Sequence, residues 1–321
     1  MRFSVIMPLF NKAPYVAKAI ESVLSQTFGD YELIVMDDGS TDESYDIALK
    51  TIDGHENGKI YRQQNAGVSM ARNNAVTLSH GDYLCFLDAD DWWAPTFLEE
   101  MTKFIDEYPE AGIYGTNYTI VNETKHKTRV APVSVDSGFE KGYINYCQVY
   151  SKNLAMPLWT GAVCIPRWVF NEMNGFPKGI KLGEDFLLWI RIALKYKVAF
   201  LNTPFSFYNQ DSESQWRGTG YMQEPKRNML WNLSFLEDEE KKNADYKTLV
   251  DKLRVSGLIS YYLSKQYRTD AVQELKKVDW EKQKYKNRMM YKYPIWYLKA
   301  TQVIKKTGST VKNCLGFLRK K

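Results

Sequence analysis

Residues 81–93 read GDYLCFLDADDWW, and the fold turns on how they are read. Tyr83, Leu84, Cys85, Phe86 and Leu87 make a short apolar, β-rich run, which predicts a buried strand. It stops abruptly at Asp88, Asp90 and Asp91. Three carboxylates in four residues repel one another unless something positive sits among them, and an oxygen-only ligand set suits a hard divalent cation such as Mg2+ or Mn2+. Such a strand end could hold a diphosphate. The competing reading is a solvated turn in which one Asp caps a helix whose first turn begins at Pro95. Alone, Asp-Ala-Asp is a weak motif, so its neighbours must decide.

Before this stretch, residues 3–9 (FSVIMPL) predict a strand, and Asn11, Lys12, Ala13 and Pro14 a helix start, with Val16, Ala19, Ile20, Val23 and Leu24 at helical spacing. Residues 31–36 (YELIVM) form the next strand and run into Asp37, Asp38 and Gly39, where Ser40 and Glu43 fit a capping box. That box leaves Asp37 and Asp38 unexplained, at a strand's carboxyl end where open α/β sheets bind ligands. A third strand spans residues 59–62 and a helix runs to Ser79. In that helix Arg72 falls in the early turns, which the helix dipole disfavours for a cation. An anionic or carbonyl partner would explain it; the alternative is an Arg snorkelling to a surface carboxylate.

After the acidic strand end come a helix over 95–107, a strand over 111–116, a hairpin over 117–135 and a helix over 138–149. A strand over 159–165, a short helix over 169–173 and a helix opened by Gly183, Glu184 and Asp185 follow, the two acids suiting the dipole of its first turn. Residues 198–201 and 205–208 read as closing strands. The alternation predicts an α/β fold with a doubly wound, mostly parallel sheet flanked by helices. Past residue 223 the character changes to Lys-rich helical segments at 225–236, 246–264 and 269–277, and residues 291–306 add Tyr293, Trp296 and Tyr297. We therefore expect a domain over 1–222 and a basic helical extension over 223–321.

The 321 residues are 44% apolar and 14% aromatic, which fits a globular chain with a proper core. The four scattered Cys read as structural thiols of a reducing compartment, and the three isolated His form no metal or triad pattern. A strand starting at Phe3 leaves no room for a signal peptide, and no apolar run reaches spanning length. The net charge of +5 hides an asymmetry: residues 241–321 hold 21 Lys and Arg against 6 Asp and Glu, the remainder 22 against 32. A basic tail with aromatics can seek an anionic membrane face or simply pack its rings on the body. With no base-stacking module, nucleic acid is not an expected partner.

Over residues 2–208 the chain resembles the GT-A glycosyltransferases of family 2, the large inverting group that builds bacterial polysaccharides. The resemblance rests on Val5-Ile6-Met7-Pro8, Asn11-Lys12, residues 22–27 (SVLSQT), residues 37–42 (DDGSTD), Asn65-Ala66-Gly67, Ala71-Arg72-Asn73, Asp88-Ala89-Asp90 and Glu184-Asp185, in that order. It implies that Asp38 and Arg72 hold a nucleotide base walled by Phe10 or the backbone at Pro8. It further implies that Asp88 meets the ribose or the metal's water shell and that Asp90 ligates Mn2+ or Mg2+ on a diphosphate. Asp185 would be the general base, with Glu184 and Trp189 shaping the sugar or acceptor pocket. Many relatives carry a His after the last strand. This chain has none there, and Asp211 is the expected substitute ligand.

The expected function is inverting transfer from a nucleotide-diphosphate sugar, UDP-linked, to a glycan or lipid-linked acceptor. Its expected location is cytoplasmic, on the inner face of the cytoplasmic membrane. A sugar nucleotidyltransferase would need a glycine-rich, Arg-containing loop where this chain has Pro8-Leu9-Phe10-Asn11-Lys12. A catalytically degenerate scaffold that binds sugar nucleotides is the remaining alternative.

Overall fold

The computed structural model describes residues 1–212 and 222–299. Strands β1 (Phe3–Leu9) and β2 (Tyr31–Asp37) are buried at every position, as expected for parallel strands covered on both faces. Along the chain β1 is followed by helix α1 (Val16–Leu24), β2 by helix α2 (Ser44–Ile52), then β3 (Gly58–Arg62), helix α3 (Val68–Thr77) and β4 (Tyr83–Phe86). The chain continues through β5 (Trp92–Trp93), α4 (Phe97–Glu107), β6 (Ala111–Asn122), β7 (Lys127–Val130), β8 (Lys141–Ile144) and α5 (Tyr146–Asn153). It then passes β9 (Val163–Pro166), α6 (Arg167–Glu172), α7 (Glu184–Lys195) and β10 (Lys197–Asn209).

The sheet runs β3-β2-β1-β4-β9-β6-β10-β5, with β7 on β6 and β8 on β10. β3, β2, β1 and β4 are parallel, β9 runs antiparallel between β4 and β6, and β10 is parallel to β6. The expected mostly parallel sheet is therefore present. Because β2 and β4 flank β1 on opposite sides, the chain reverses its winding there, and the crevice at the carboxyl ends of β1 and β4 is a natural ligand site. One core face packs Val5, Met7, Leu33, Val35, Cys85 and Leu87 with α1 and α4. The other sets Phe86 against Phe170, Phe176 and Trp189. Cys85, Cys147 and Cys164 are free and buried.

Several local expectations are corrected. Residues 138–149 hold no single helix: 141–144 pair with β10, and α5 starts only at Tyr146, where Asn145 accepts the Gln148 amide at 3.1 Å. The two closing strands are one, β10, whose register shifts beside Pro204 let the chain pass a residue that cannot donate. Residues 160–162 form a turn of 3-10 helix ahead of β9. Ser40 does not cap α2; its hydroxyl accepts the Asn11 amide at 3.0 Å, while Asp42 accepts the Ser44 amide at 3.0 Å. Helix α4 begins at Phe97, so Pro95 lies outside it.

The chain divides into two compact units, one ending at Tyr246 and one beginning at Lys247. In the first, 225–236 is a series of short 3-10 turns, where a helix was expected. The second contains most of helix Ala244–Gly257 and helices Ile259–Leu263, Arg268–Leu275 and Tyr285–Met290, and buries Arg254 beside Asp251 and Glu274. The helix expected over 291–306 lies partly outside the described residues. No helix among the described residues is long and apolar enough to cross a membrane.

Candidate functional site

The loops after β1, β2 and β4 meet because their strands are neighbours in register, Leu9 opposite Asp37 and Ile6 opposite Phe86. Here the charge crowding of the Asp88 to Asp91 turn is resolved by two cations. Lys12 Nζ lies 2.5 Å from Asp90 Oδ2, and Arg72 Nη2 lies 2.6 Å from Asp88 Oδ1. The third carboxylate is buried: Asp91 accepts the Asn209 amide at 2.8 Å and the Trp159 indole N–H at 3.4 Å. Burial first, then Asp90 and Asp88, push the Asp91 carboxyl well above the usual carboxylate range. The solvated-turn reading fails, since these side chains are paired inward.

Lys12 is aimed by a constrained turn. Asn11 has φ of +50°, an uncommon backbone for a residue with a side chain, and its Oδ1 accepts the Thr41 amide at 2.8 Å. The Lys12 amide in turn donates to Ser44 Oγ at 2.6 Å. The loop after β1 is thus clamped to the loop after β2, and the lysine projects onto β4's end.

Asp38, also buried, accepts from Gln63 Nε2 at 2.7 Å, Ala66 N at 2.8 Å and Gly67 N at 2.8 Å. It organises the loop entering α3, whose N-cap Gly67 has φ of +90°. Pro8 lies within β1, and Phe10 just beyond it is 42% exposed, a free ring at the crevice mouth.

Arg72 is 3% exposed and also bonds Glu184 Oε1 at 3.2 Å, with its guanidinium 5.0 Å from the Phe176 ring centroid. It is no snorkelling surface arginine. Burial alone would lower its pKa, but Asp88 and Glu184 more than offset that and raise it. Glu184 feels the reverse balance: burial and then Asp185 raise its pKa, and Arg72 opposes them.

Helix α7 starts after Gly183, whose φ of +81° and whose closeness to Met229, 2.3 Å from where a Cβ would sit, both require glycine. Asp185 in the first turn accepts from Thr160 Oγ1 at 3.2 Å. Trp189, expected on a pocket wall, is instead fully enclosed, its ring 5.7 Å from Phe176 and 6.4 Å from Phe86. It packs on Phe176, the ring that faces Arg72.

Asp211 is also placed elsewhere than expected. Its carboxylate accepts the Thr124 amide at 3.1 Å in the β6–β7 turn, which holds it there. No group of three or more His, Cys, Asp or Glu among the described residues is arranged to hold a metal, so Asp211 does not complete a ligand set with Asp88 and Asp90. Those two remain hard oxygen donors at the switch point, a pair that fits Mg2+ or Mn2+ when phosphate oxygens supply further ligands.

The sequence pattern of the family described as Glycosyl transferase family 2 matches residues 4–165, half the chain. The chain belongs to that family. Glycosyltransferase GlyA of Streptococcus pneumoniae is 33% identical over 215 residues, covering 64% of this chain and 30% of its own length. Minor teichoic acid biosynthesis protein GgaA of Bacillus subtilis is 31% identical over 205 residues, covering 61% and 44%. An uncharacterised glycosyltransferase of Rickettsia felis is 34% identical over 207 residues, of which this chain covers 32%. The chain thus spans about a third of the length of such relatives. Among solved structures, S. aureus TarS 1–349 in complex with UDP-GlcNAc superposes with a TM-score of 0.69 over 88% of this chain and 82% of that one, at 19% identity. The shared fold is GT-A.

In this member of family 2, the structure brings Asp88, Arg72 and Glu184 together, and beside them Asp185. Asp38 and Arg72, expected to bond a base, spend most of their polar groups on the protein itself. Sequence reasoning missed Lys12 as Asp90's partner, although the demand for a cation among the carboxylates and the Asn11-Lys12 pair after β1 were both visible. Gln63, Thr160 and Asn209 carried no local signal; each meets its partner only through strand order.

Proposed function

We propose that this chain is an inverting glycosyltransferase that moves a sugar from a UDP-linked donor to a hydroxyl of a glycan or lipid-linked acceptor in cell-surface polysaccharide synthesis. The observation that carries the reading is the pairing, at the sheet's switch point, of two cation-balanced carboxylates with a base-bearing helix start tied to them through Arg72. The UDP-GlcNAc complex of TarS and the teichoic acid proteins of B. subtilis support the donor and the pathway class.

In this proposal the nucleotide lies against Phe10 beside Pro8, over the loop that Asp38 organises. Asp90 and Asp88 would hold Mn2+ or Mg2+, which when bound would supply positive charge against that building on the leaving diphosphate. Asp185, oriented by Thr160, takes the proton as the acceptor oxygen forms its bond to the anomeric carbon. The bond to the diphosphate breaks on the opposite side, its electron pair leaves with the phosphate, and the configuration inverts. The basic C-terminal segment holds the enzyme at the inner, anionic face of the cytoplasmic membrane, near a lipid-linked acceptor.

Calorimetric titration of UDP with Mn2+ and with EDTA tests the donor site. Binding is expected to need the metal and to weaken in Asp90→Asn. Asp185→Asn should keep UDP binding and lose at least about a hundredfold in turnover. UDP binding without any turnover by the unaltered protein across UDP-sugars would favour a scaffold, and no binding of UDP at all would refute the donor assignment.

A further inference from the structure

The second unit ends in a run of one sign. From residue 282 to 321 there are 12 Lys and Arg and no Asp or Glu. Large aromatics stand out among them: Tyr285 is 71% and Trp296 72% exposed, and Tyr293 and Tyr297 are also exposed. Rings of that size are ordinarily buried, and clustered exposure beside cations marks a surface built for something both apolar and anionic.

The same stretch of chain supplies most of the lining of a concavity of about 330 Å³, formed by Trp280, Glu281, Arg288, Tyr291 and Lys292. Its aromatic wall is rigid: Tyr291 donates its hydroxyl to the Val255 carbonyl at 2.8 Å and packs edge-on to Trp280 at 5.5 Å. Its two cations are uncommitted. Arg288 and Lys292 make no ion pair among the described residues, whereas nearby Lys282 is held by Asp279 at 3.3 Å. Glu281 is the single acid of the lining and is outweighed by the two cations.

We propose that this concavity is a headgroup site for an anionic phospholipid of a bilayer, with Arg288 and Lys292 on the phosphate and the exposed aromatics at the interface. Two features favour a bilayer over a protein partner. Tyrosine and tryptophan suit the polar boundary of a membrane, one end apolar and one wet. Charge of a single sign over 40 residues is attracted to a uniformly anionic surface without any need for matched pairs. The site rests on the glycosyltransferase reading only for its purpose, bringing the enzyme to a lipid-linked acceptor.

The test is co-sedimentation of the full chain with vesicles of phosphatidylcholine alone and of phosphatidylcholine mixed with phosphatidylglycerol. Binding is expected to the mixed vesicles only. The double variant Arg288→Glu with Lys292→Glu should lose it by about a hundredfold or more, since each cation near such a surface contributes about a fivefold preference. Trp296→Ala should weaken it severalfold with the charge unchanged. Equal binding to both vesicle types, or mixed-vesicle binding by the double variant as tight as that of the unaltered chain, would each overturn the site. UDP titration of the same variants reads the donor site separately, so a failed transferase assignment and a failed membrane site give different results.

Discussion

Replacing Arg72 with Met removes a cation from between two carboxylates while keeping an unbranched side chain beside Phe176. Arg72 is 3% exposed and holds Asp88 at 2.6 Å and Glu184 at 3.2 Å. Taking one partner out of a buried pair costs about 3–5 kcal/mol, because the other charges stay behind. Asp88 retains 27% exposure and can recover some hydration, so the lower end, about 3 kcal/mol, is expected. The loss should also depend on pH. Glu184 has a folded pKa raised above its ordinary value, so its contribution to stability is present at low pH and lost as pH rises through that folded value. Without Arg72, which opposes the rise, the value moves higher and the cost at neutral pH grows. Urea unfolding followed by tryptophan fluorescence, at about pH 8 and about pH 5, should therefore show a deficit that shrinks on acidification. A deficit under about 1 kcal/mol, or one equal at both pH values, would refute the buried-bridge account.

Lys12→Met should bind Mn2+ without nucleotide about tenfold more tightly than the unaltered protein, read by the loss of the free Mn2+ resonance signal, because the cation no longer displaces an ammonium from Asp90. Lys12→Arg should behave like the unaltered chain, and unchanged affinity in Lys12→Met would show that the lysine does not guard the site. Gly183→Ala meets both a left-handed backbone and Met229 and should cost about 1–3 kcal/mol in the same urea assay. It should also lower turnover more than UDP affinity, since it disturbs the start of α7 and hence Asp185; a neutral substitution would refute the demand for glycine there.

Strands β1, β2 and β4 were legible because short apolar runs have one stable solution, a sheet covered on both faces, and the carboxylates that end the β2 and β4 runs fall at its rim. Helices α1 and α7 were legible from their periodicity. Residues 141–144 were not: KGYI alternates too briefly to outweigh a helical reading until β10 offers it an edge. Pro204 likewise broke in sequence a strand that two register shifts keep whole.

By itself the sequence determined the family, the order of the acidic strand ends and the charge asymmetry, since these depend on residue type and local spacing alone. The tertiary structure decided which charge answers which. Lys12 on Asp90, Arg72 between Asp88 and Glu184, and Thr160 on Asp185 join residues 78, 16, 112 and 25 positions apart. It also decided that Trp189 is packing and that the Asp211 carboxylate is held by the Thr124 amide of the β6–β7 turn. Electrostatic partnership falls off over a few ångströms in space and is indifferent to distance along the chain, so strand order, which no local pattern encodes, has to be known first.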